Sequence, residues 1–266
     1  MRDFEKAKEL FDDVVDTRYY FDSTSAEIAR YKLENAIKDR SAPLIFLIGD
    51  PGVGKSYLLK LVSSELAKKS LSIFIDHPFF DKRDLLKILY EAKNFAFDKS
   101  INFNGLKDML LDLYKEDRHT IFIDEAQLLN EEQFELIRIL SDTKVFQFVL
   151  SMHKEEGSAI LEKKHFKSRT KVIIEYGRLH HSEVYRYIQS TLLHENHGEI
   201  SQMFSPKDGK KITKYSDGNF RTVKKFLCSL LTLLEYAKKN GLKKYSKINS
   251  CILQMSALDI GVIDDK

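Results

Sequence analysis

The sequence predicts an α/β protein, a parallel sheet flanked by helices, followed by an all-helical module. Three observations predict it. Up to about residue 175, short apolar runs alternate with stretches of helical spacing. Gly49-Asp50-Pro51-Gly52-Val53-Gly54-Lys55-Ser56 joins the first apolar run to the first helical stretch after it. Beyond residue 180, helical patterns succeed one another with no strand between them. Strands separated by helical patterns imply crossover connections and therefore parallel pairing.

The elements follow in order. Residues 1–40 are mostly helical in pattern and form a leader. Leu44-Ile45-Phe46-Leu47-Ile48 is apolar and ends in glycine, so it reads as a buried strand. Residues 54–69 place Leu58, Leu59, Val62 and Leu66 at helical spacing. Leu71–Ile75 reads as the second strand, 81–97 as a helix, Thr120–Asp124 as the third strand and 130–141 as a helix. Val145–Leu150 and Lys171–Ile174 are the fourth and fifth strands. Helices are expected over 181–196, 206–215, 219–239 and 245–258. The expected domains are a leader, 1–40, an α/β core, 41–177, and a helical module, 178–266.

Composition bounds the class. With 266 residues the chain holds one to two domains. It is 43% hydrophobic and 31% charged, with 43 Lys+Arg against 40 Asp+Glu, which excludes wholesale disorder. Cys228 and Cys251 are too few for a disulfide scaffold and point to a reducing compartment without a zinc site. No apolar run approaches the roughly 18 residues of a membrane span, and the polar start, Met1-Arg2-Asp3-Phe4-Glu5-Lys6, is unlike a signal peptide. A cytoplasmic protein is expected. Charge is uneven: residues 1–175 carry 28 basic and 31 acidic residues, and 176–266 carry 15 and 9. Within 205–250 there are 12 basic residues to 3 acidic, a stretch that reads either as a contact for nucleic acid or acidic lipid or as a solvated lysine face.

Gly49–Ser56 fits G-x-x-x-x-G-K-[ST] in the strand-to-helix context such a phosphate loop needs. Glycines let the backbone wrap a phosphate, and the helix start aims N–H groups and its dipole at the anion. Gly49, Asp50, Pro51, Gly52, Val53, Gly54, Lys55, Ser56 and the following Tyr57 are the expected nucleotide-binding residues. Lys55 is expected on the β- and γ-phosphates and the Ser56 hydroxyl on Mg²⁺. The second motif is Ile121-Phe122-Ile123-Asp124-Glu125. A carboxylate at the end of a buried strand is costly unless it meets a cation. Beside a phosphate loop that cation is Mg²⁺, so Asp124 is the expected ligand through water and Glu125 the general base. No N-K-x-D guanine signature occurs, which favours ATP over GTP.

Two arginines complete the set. Arg169, just before the fifth strand, reads either as an arginine finger reaching a neighbouring protomer or as a surface arginine among lysines. Arg221, in Ser216-Asp217-Gly218-Asn219-Phe220-Arg221, reads either as a γ-phosphate sensor at a helix start or as a helix-surface residue. Tyr19, Tyr20 and Phe21 pack either near an adenine or under the helical module. His180-His181 lacks further ligands at metal spacing.

These residues carry a family resemblance. Residues 15–260 resemble AAA+ ATPases of the ExeA/GspA type, which include the MshM-like pilus and secretion ATPases. The transposition ATPases TniB and MuB are similar. Asp16-Thr17-Arg18-Tyr19-Tyr20-Phe21 resembles that family's aromatic leader, Ile123-Asp124-Glu125-Ala126-Gln127-Leu128-Leu129 its Walker B stretch, and Ser216–Arg221 its sensor-2 turn. The resemblance implies a five-stranded parallel sheet of order 5-1-4-3-2, a helical lid over 178–266, ATP hydrolysis and assembly into a dimer or ring. It also implies Arg169 acting in trans and Arg221 in cis. The departures are Phe220, where the family has proline, and Ser151-Met152-His153, where it has Gly-Gln-Pro, so the sensor-1 residue is Ser151 or His153. Ending at Lys266 without a membrane helix or peptidoglycan-binding region, the chain matches the shorter MshM-like layout or a separated ATPase subunit. The implied function is an Mg-ATP-driven assembly motor or switch in a secretion or pilus-type envelope machine, peripheral to the inner membrane, with an unidentified protein client. The alternatives are a DNA-associated ATPase of transposition target selection and a nucleotide-dependent interaction module with little turnover.

Overall fold

Leu44–Gly49 (β1) is buried along its whole length, the pattern of a strand covered on both faces. In the computed structural model, which describes residues 3–13, 20–40, 42–68, 71–76, 79, 81–162 and 171–264, β1 pairs in parallel with strands on both sides. The other strands are Ser72–Ile75 (β2), His119–Ile123 (β3), Phe146–His153 (β4) and Lys171–Tyr176 (β5). Their order is β2-β3-β4-β1-β5, the expected order read from the other edge, and every pairing is parallel.

The described residues form two compact units. The first contains Ala26–Asp50 and Lys55–Tyr176 and holds the sheet. Its helices are Thr24–Asp39 (α2, apart from its first two residues), Lys55–Ala67 (α3), Lys82–Ala92 (α4), Phe103–Tyr114 (α5), Glu131–Asp142 (α6) and Lys154–Glu162 (α7). Its core joins β1, β3 and β4 to α4, α5 and α6 through residues such as Phe46, Phe148, Leu86, Leu110 and Ile137. Buried Gln147 of β4 donates to the carbonyls of Ala36, at 3.0 Å, and Ala42, at 2.8 Å, tying the end of α2 to the sheet. Helices α5 and α7 extend the sequence reading, which assigned nothing there. The helix expected over 81–97 stops at Ala92 because Asn94 turns left-handed, with φ 59°.

The second unit contains Met1–Ser25, Pro51–Gly54 and Gly177–Lys266. Its helices are Phe4–Glu9 (α1), His181–His194 (α8), the single turn Gly198–Ser201 (α9), Pro206–Ser216 (α10), Phe220–Lys239 (α11) and Ser250–Asp259 (α12). The last starts later than the expected 245 because Asn249 caps it, accepting the N–H groups of Cys251 and Ile252. Helix α11 is the spine: Val223, Phe226, Leu227, Leu230, Leu231 and Leu234 are buried with Phe4 and Phe11 of the leader and Ile252 and Leu253 of α12. Phe21 belongs here too, its ring 5.3 Å from that of Tyr187. Tyr19 lies outside the described residues. Among the described residues, no helix is long and apolar enough to cross a membrane.

Two local devices set the start of α8 and α11. Glu183 is buried, and its carboxylate accepts the N–H of Thr24 and that of His180, each at 2.7 Å. Burial works to raise its pKa, but the N–H groups of His180 and Thr24 outweigh it and hold the carboxyl below its ordinary value. Between α10 and α11, Asp217 and Gly218 are both left-handed, with φ 50° and 65°. Gly218 is required there: a Cβ would lie 2.2 Å from the Leu179 carbonyl oxygen, and the Gly218 oxygen accepts the Leu179 N–H at 2.8 Å.

Gly218→Ala should therefore destabilise the protein by more than about 2 kcal/mol, since left-handed strain adds to a backbone collision. A lower melting temperature and denaturation midpoint check this. Glu183→Gln should cost about 1–2 kcal/mol at pH 7, as one strong acceptor is lost. Because the folded pKa is lowered, the contribution of Glu183 is fully present above the unfolded value of about 4.3 and is lost as pH falls through the folded value. Urea titrations should show a constant gap between wild type and variant from pH 7 to 5, closing below pH 4.

Candidate active site

Parallel strands put their carboxyl ends on one edge, where ligands of open α/β sheets bind. The sequence motifs converge there. Gly49 ends β1 in register with His153 at the end of β4, and Ile123 ends β3 in register with Leu150. The phosphate loop follows β1, and Asp124 and Glu125 follow β3.

Lys55 opens α3 and is 6% exposed, a burial an ammonium tolerates only with hydrogen-bond partners. Its Nζ donates to the carbonyls of Gly49, at 2.9 Å, and Asp50, at 3.0 Å, closing the loop back on the strand. Ser56 and Tyr57 occupy the first turn of α3, both partly exposed.

Asp124 is buried, and its Oδ1 accepts the N–H of Glu125 at 3.0 Å. Glu125 is left-handed, with φ 50° and ψ 38°, and leads into a single 3₁₀ turn, Ala126–Leu128. A non-glycine residue there carries strain of about 1 kcal/mol or more, characteristic of functional sites. Glu125 Oε2 accepts from the Gln127 side-chain amide and lies 3.3 Å from His153 Nε2. The second nitrogen of His153 is 3.9 Å from Glu156. Of the two sensor-1 candidates, His153 reaches Glu125, while the buried Ser151 hydroxyl has no hydrogen-bond partner among the described residues. The sequence reading did not see that Gln127 and His153 share one carboxylate oxygen. The i, i+2 spacing of Glu125 and Gln127 was a usable signal, whereas the His153 contact depends on strand register.

The middle of the phosphate loop, Pro51–Gly54, groups with the helical unit, and the contacts there are specific. Gly52 has φ 77°, and a Cβ on it would meet Asn219 Oδ1 at 2.8 Å and Arg221 Cβ at 2.9 Å. The Gly52 oxygen accepts the backbone N–H of Arg221 at 2.9 Å, and the Pro51 oxygen accepts the Asn219 side-chain amide at 2.6 Å. Asn219 also caps α11, its Oδ1 accepting the Thr222 N–H at 3.2 Å. Phe220 is then the first helical residue, the position where proline is favoured, and its ring packs 4.9 Å from Tyr187. The Arg221 guanidinium pairs through Nε with Asp13 at 2.8 Å. Arg169 lies outside the described residues.

Residues 38–159 match the AAA domain family. General secretion pathway protein A of Aeromonas hydrophila is 22% identical over 226 residues, covering 80% of this chain and 41% of that protein. The chain thus spans about two-fifths of that relative's length. Among solved structures, a Walker-type ATPase of Pyrococcus abyssi is similar with a TM-score of 0.62 and 17% identity, over 89% of this chain and 78% of that one. Cdc6p from Pyrobaculum aerophilum follows at 0.61 and 17%, over 88% and 66%. Domain III of the replication initiation protein DnaA from Thermotoga maritima gives 0.52 and 14%, over 93% and 97%. At these identities the structures speak for the fold alone. The AAA domain match, the sheet order and the phosphate loop together make this chain similar to AAA+ P-loop ATPases, the ExeA type among them.

Proposed function

We propose that the chain binds and hydrolyses Mg-ATP at the carboxyl edge of the sheet, with 41–177 as the nucleotide core, 178–266 as the lid and 1–40 as the leader. The observation that carries this is that one sheet edge presents both a buried phosphate-loop lysine, Lys55, and a buried strand-end aspartate, Asp124, followed by a strained glutamate, Glu125. The residues fit the ligand: among the described residues the buried Ser151 hydroxyl has no hydrogen-bond partner, and Ser56 with Asp124 makes the all-oxygen donor set that Mg²⁺ takes.

Each residue then has a task. Lys55 neutralises phosphate oxygens at the loop, and the backbone N–H groups of the loop glycines and of the first turn of α3 are the donors for the anion. Ser56, and Asp124 through water, would hold Mg²⁺, which would supply charge to balance that of the phosphates. Glu125 accepts the proton of the attacking water. Gln127 and His153 orient it by holding Oε2, which leaves Oε1 for the water. The middle of the loop belongs to the helical unit, so phosphate bound there acts on residues that start α11. This supports a coupling of nucleotide state to lid position, with Arg221 as the phosphate sensor. Arg169 we assign to a neighbouring site in a dimer or ring.

Lys55→Ala should abolish ATP binding measured by calorimetry. Glu125→Gln should keep binding and lower turnover about 10²–10⁴-fold, the range of general-base effects. Normal hydrolysis by Glu125→Gln would show that another group activates the water.

The output we propose is assembly of a partner in a secretion or pilus-type envelope machine, at the cytoplasmic face of the inner membrane. Similarity to a secretion pathway protein supports this pathway. A second reading, a DNA-associated ATPase of the TniB and MuB kind, is favoured by one observation: the lysines of α10, of the end of α11 and of the segment after it, including Lys207, Lys210, Lys211, Lys239, Lys243 and Lys244, are exposed. If duplex DNA is the partner, it should raise ATP turnover, and its affinity should fall with salt at a log–log slope of about −0.9 per phosphate contacted. No shift at low salt with ATP present removes this reading and leaves the envelope one.

A further inference from the structure

The leader is more than a covering helix. Phe4, Ala7 and Phe11 are buried in the cluster built on α11. Glu5 pairs with Lys239 at 2.8 Å, at the far end of α11, and the Cys228 thiol donates to the Lys8 carbonyl at 3.6 Å, nearer its middle. These contacts run α1 antiparallel to α11, so the chain leaving α1 arrives at the first turn of α11. Asp13 stands there, its Oδ2 at 2.8 Å from Arg221 Nε. Lys224, one turn further along α11, is buried. Burial lowers its pKa, while Asp13 and Asp12 work against that shift, so both carboxylates act on this end of the helix.

Arg221 touches the phosphate loop with its main chain, because its N–H bonds the Gly52 carbonyl. Its side chain starts at the loop, yet its charge is turned onto Asp13. The two partners are 53% and 46% exposed, a setting in which an ion pair shifts a competing equilibrium by no more than about fivefold. A terminal phosphate offers more charge and bidentate geometry, so it wins such a competition while still having to displace the carboxylate.

We infer that Asp13 is a positioning residue for Arg221: it holds the guanidinium away from the phosphate loop and yields it to the terminal phosphate of a nucleoside triphosphate. This rests on the reading of Arg221 as the phosphate sensor. A ligand that must break a pair binds more weakly by the worth of that pair. Asp13 therefore holds down the preference for triphosphate over diphosphate, because only the former reaches Arg221.

Calorimetric titrations of the full chain with ADP and with a slowly hydrolysed ATP analogue test this for wild type, Asp13→Asn, Asp13→Ser, Arg221→Ala and Asp13→Asn with Arg221→Ala. Both neutral variants should bind the triphosphate about two- to fivefold more tightly, the reach of an exposed pair, and ADP as wild type does. The gain should vanish in the Arg221→Ala background, and Asp13→Glu should restore wild-type behaviour. A purely structural role for Asp13 would move ADP and triphosphate alike. Unchanged or weaker triphosphate binding in both neutral variants, with Arg221→Ala still impaired, overturns the inference and leaves the sensor assignment standing. Unimpaired triphosphate binding by Arg221→Ala removes the sensor assignment and this inference with it.

Discussion

Strand β1 is hydrogen-bonded to β4 on one side and β5 on the other, and none of its residues is more than slightly exposed. A strand so enclosed has no freedom of register. Its last residue, Gly49, is fixed opposite His153, and the loop that follows must leave the sheet at that point. The carbonyls of Gly49 and Asp50 then accept the Lys55 ammonium, so the loop's return into α3 is set by the end of the strand. The neighbouring strand β4 carries the same constraint outward to β3, whose end presents Asp124 and Glu125. The chemistry at this edge is a consequence of where a central, fully buried strand must stop.

Much of this was legible in the sequence because it rests on local signals. Apolar runs ending in glycine or aspartate marked β1 and β3, and the loop pattern marked Lys55 and Ser56. The family resemblance supplied the order of the strands, which composition and periodicity leave open. What escaped was long-range or conformational. The start of helix α5 is set by Asn102, a cap that becomes visible only when its oxygen accepts the Gly105 N–H at 2.8 Å. His153 and Glu125 are 28 residues apart and meet because two strands share a register. The left-handed turn at Glu125 has no sequence mark, since Asp-Glu at a strand end is common. Phe220, a departure from the family pattern, proves to fill the first helical position behind the Asn219 cap, where proline's fixed φ is one solution and a ring packed on Tyr187 another.

The charged groups of the site divide by burial, and the division says which can change partner. Lys55 and Asp124 are each 6% exposed and held by main-chain groups of their own loop and turn. Moving either away would strand a charge in a low-dielectric setting, so both are preorganised, as electrostatic catalysis requires. Arg221 and Asp13 are half exposed, where water substitutes for a lost partner at little cost. Only groups of this second kind suit a sensing role, because sensing needs two arrangements of similar free energy.

That contrast also explains why the main chain of Arg221 is held tightly while its side chain is not. The N–H of Arg221 bonds Gly52, and the Asn219 amide bonds Pro51, so the start of α11 is anchored to the phosphate loop by groups that do not ionise. Gly52 must lack a side chain for this anchoring to exist. The glycine therefore lets another helix begin against the loop, and in the proposed site it also leaves backbone N–H groups open to a phosphate. A guanidinium mounted on such an anchor changes partner by rotating its own bonds, without moving the helix.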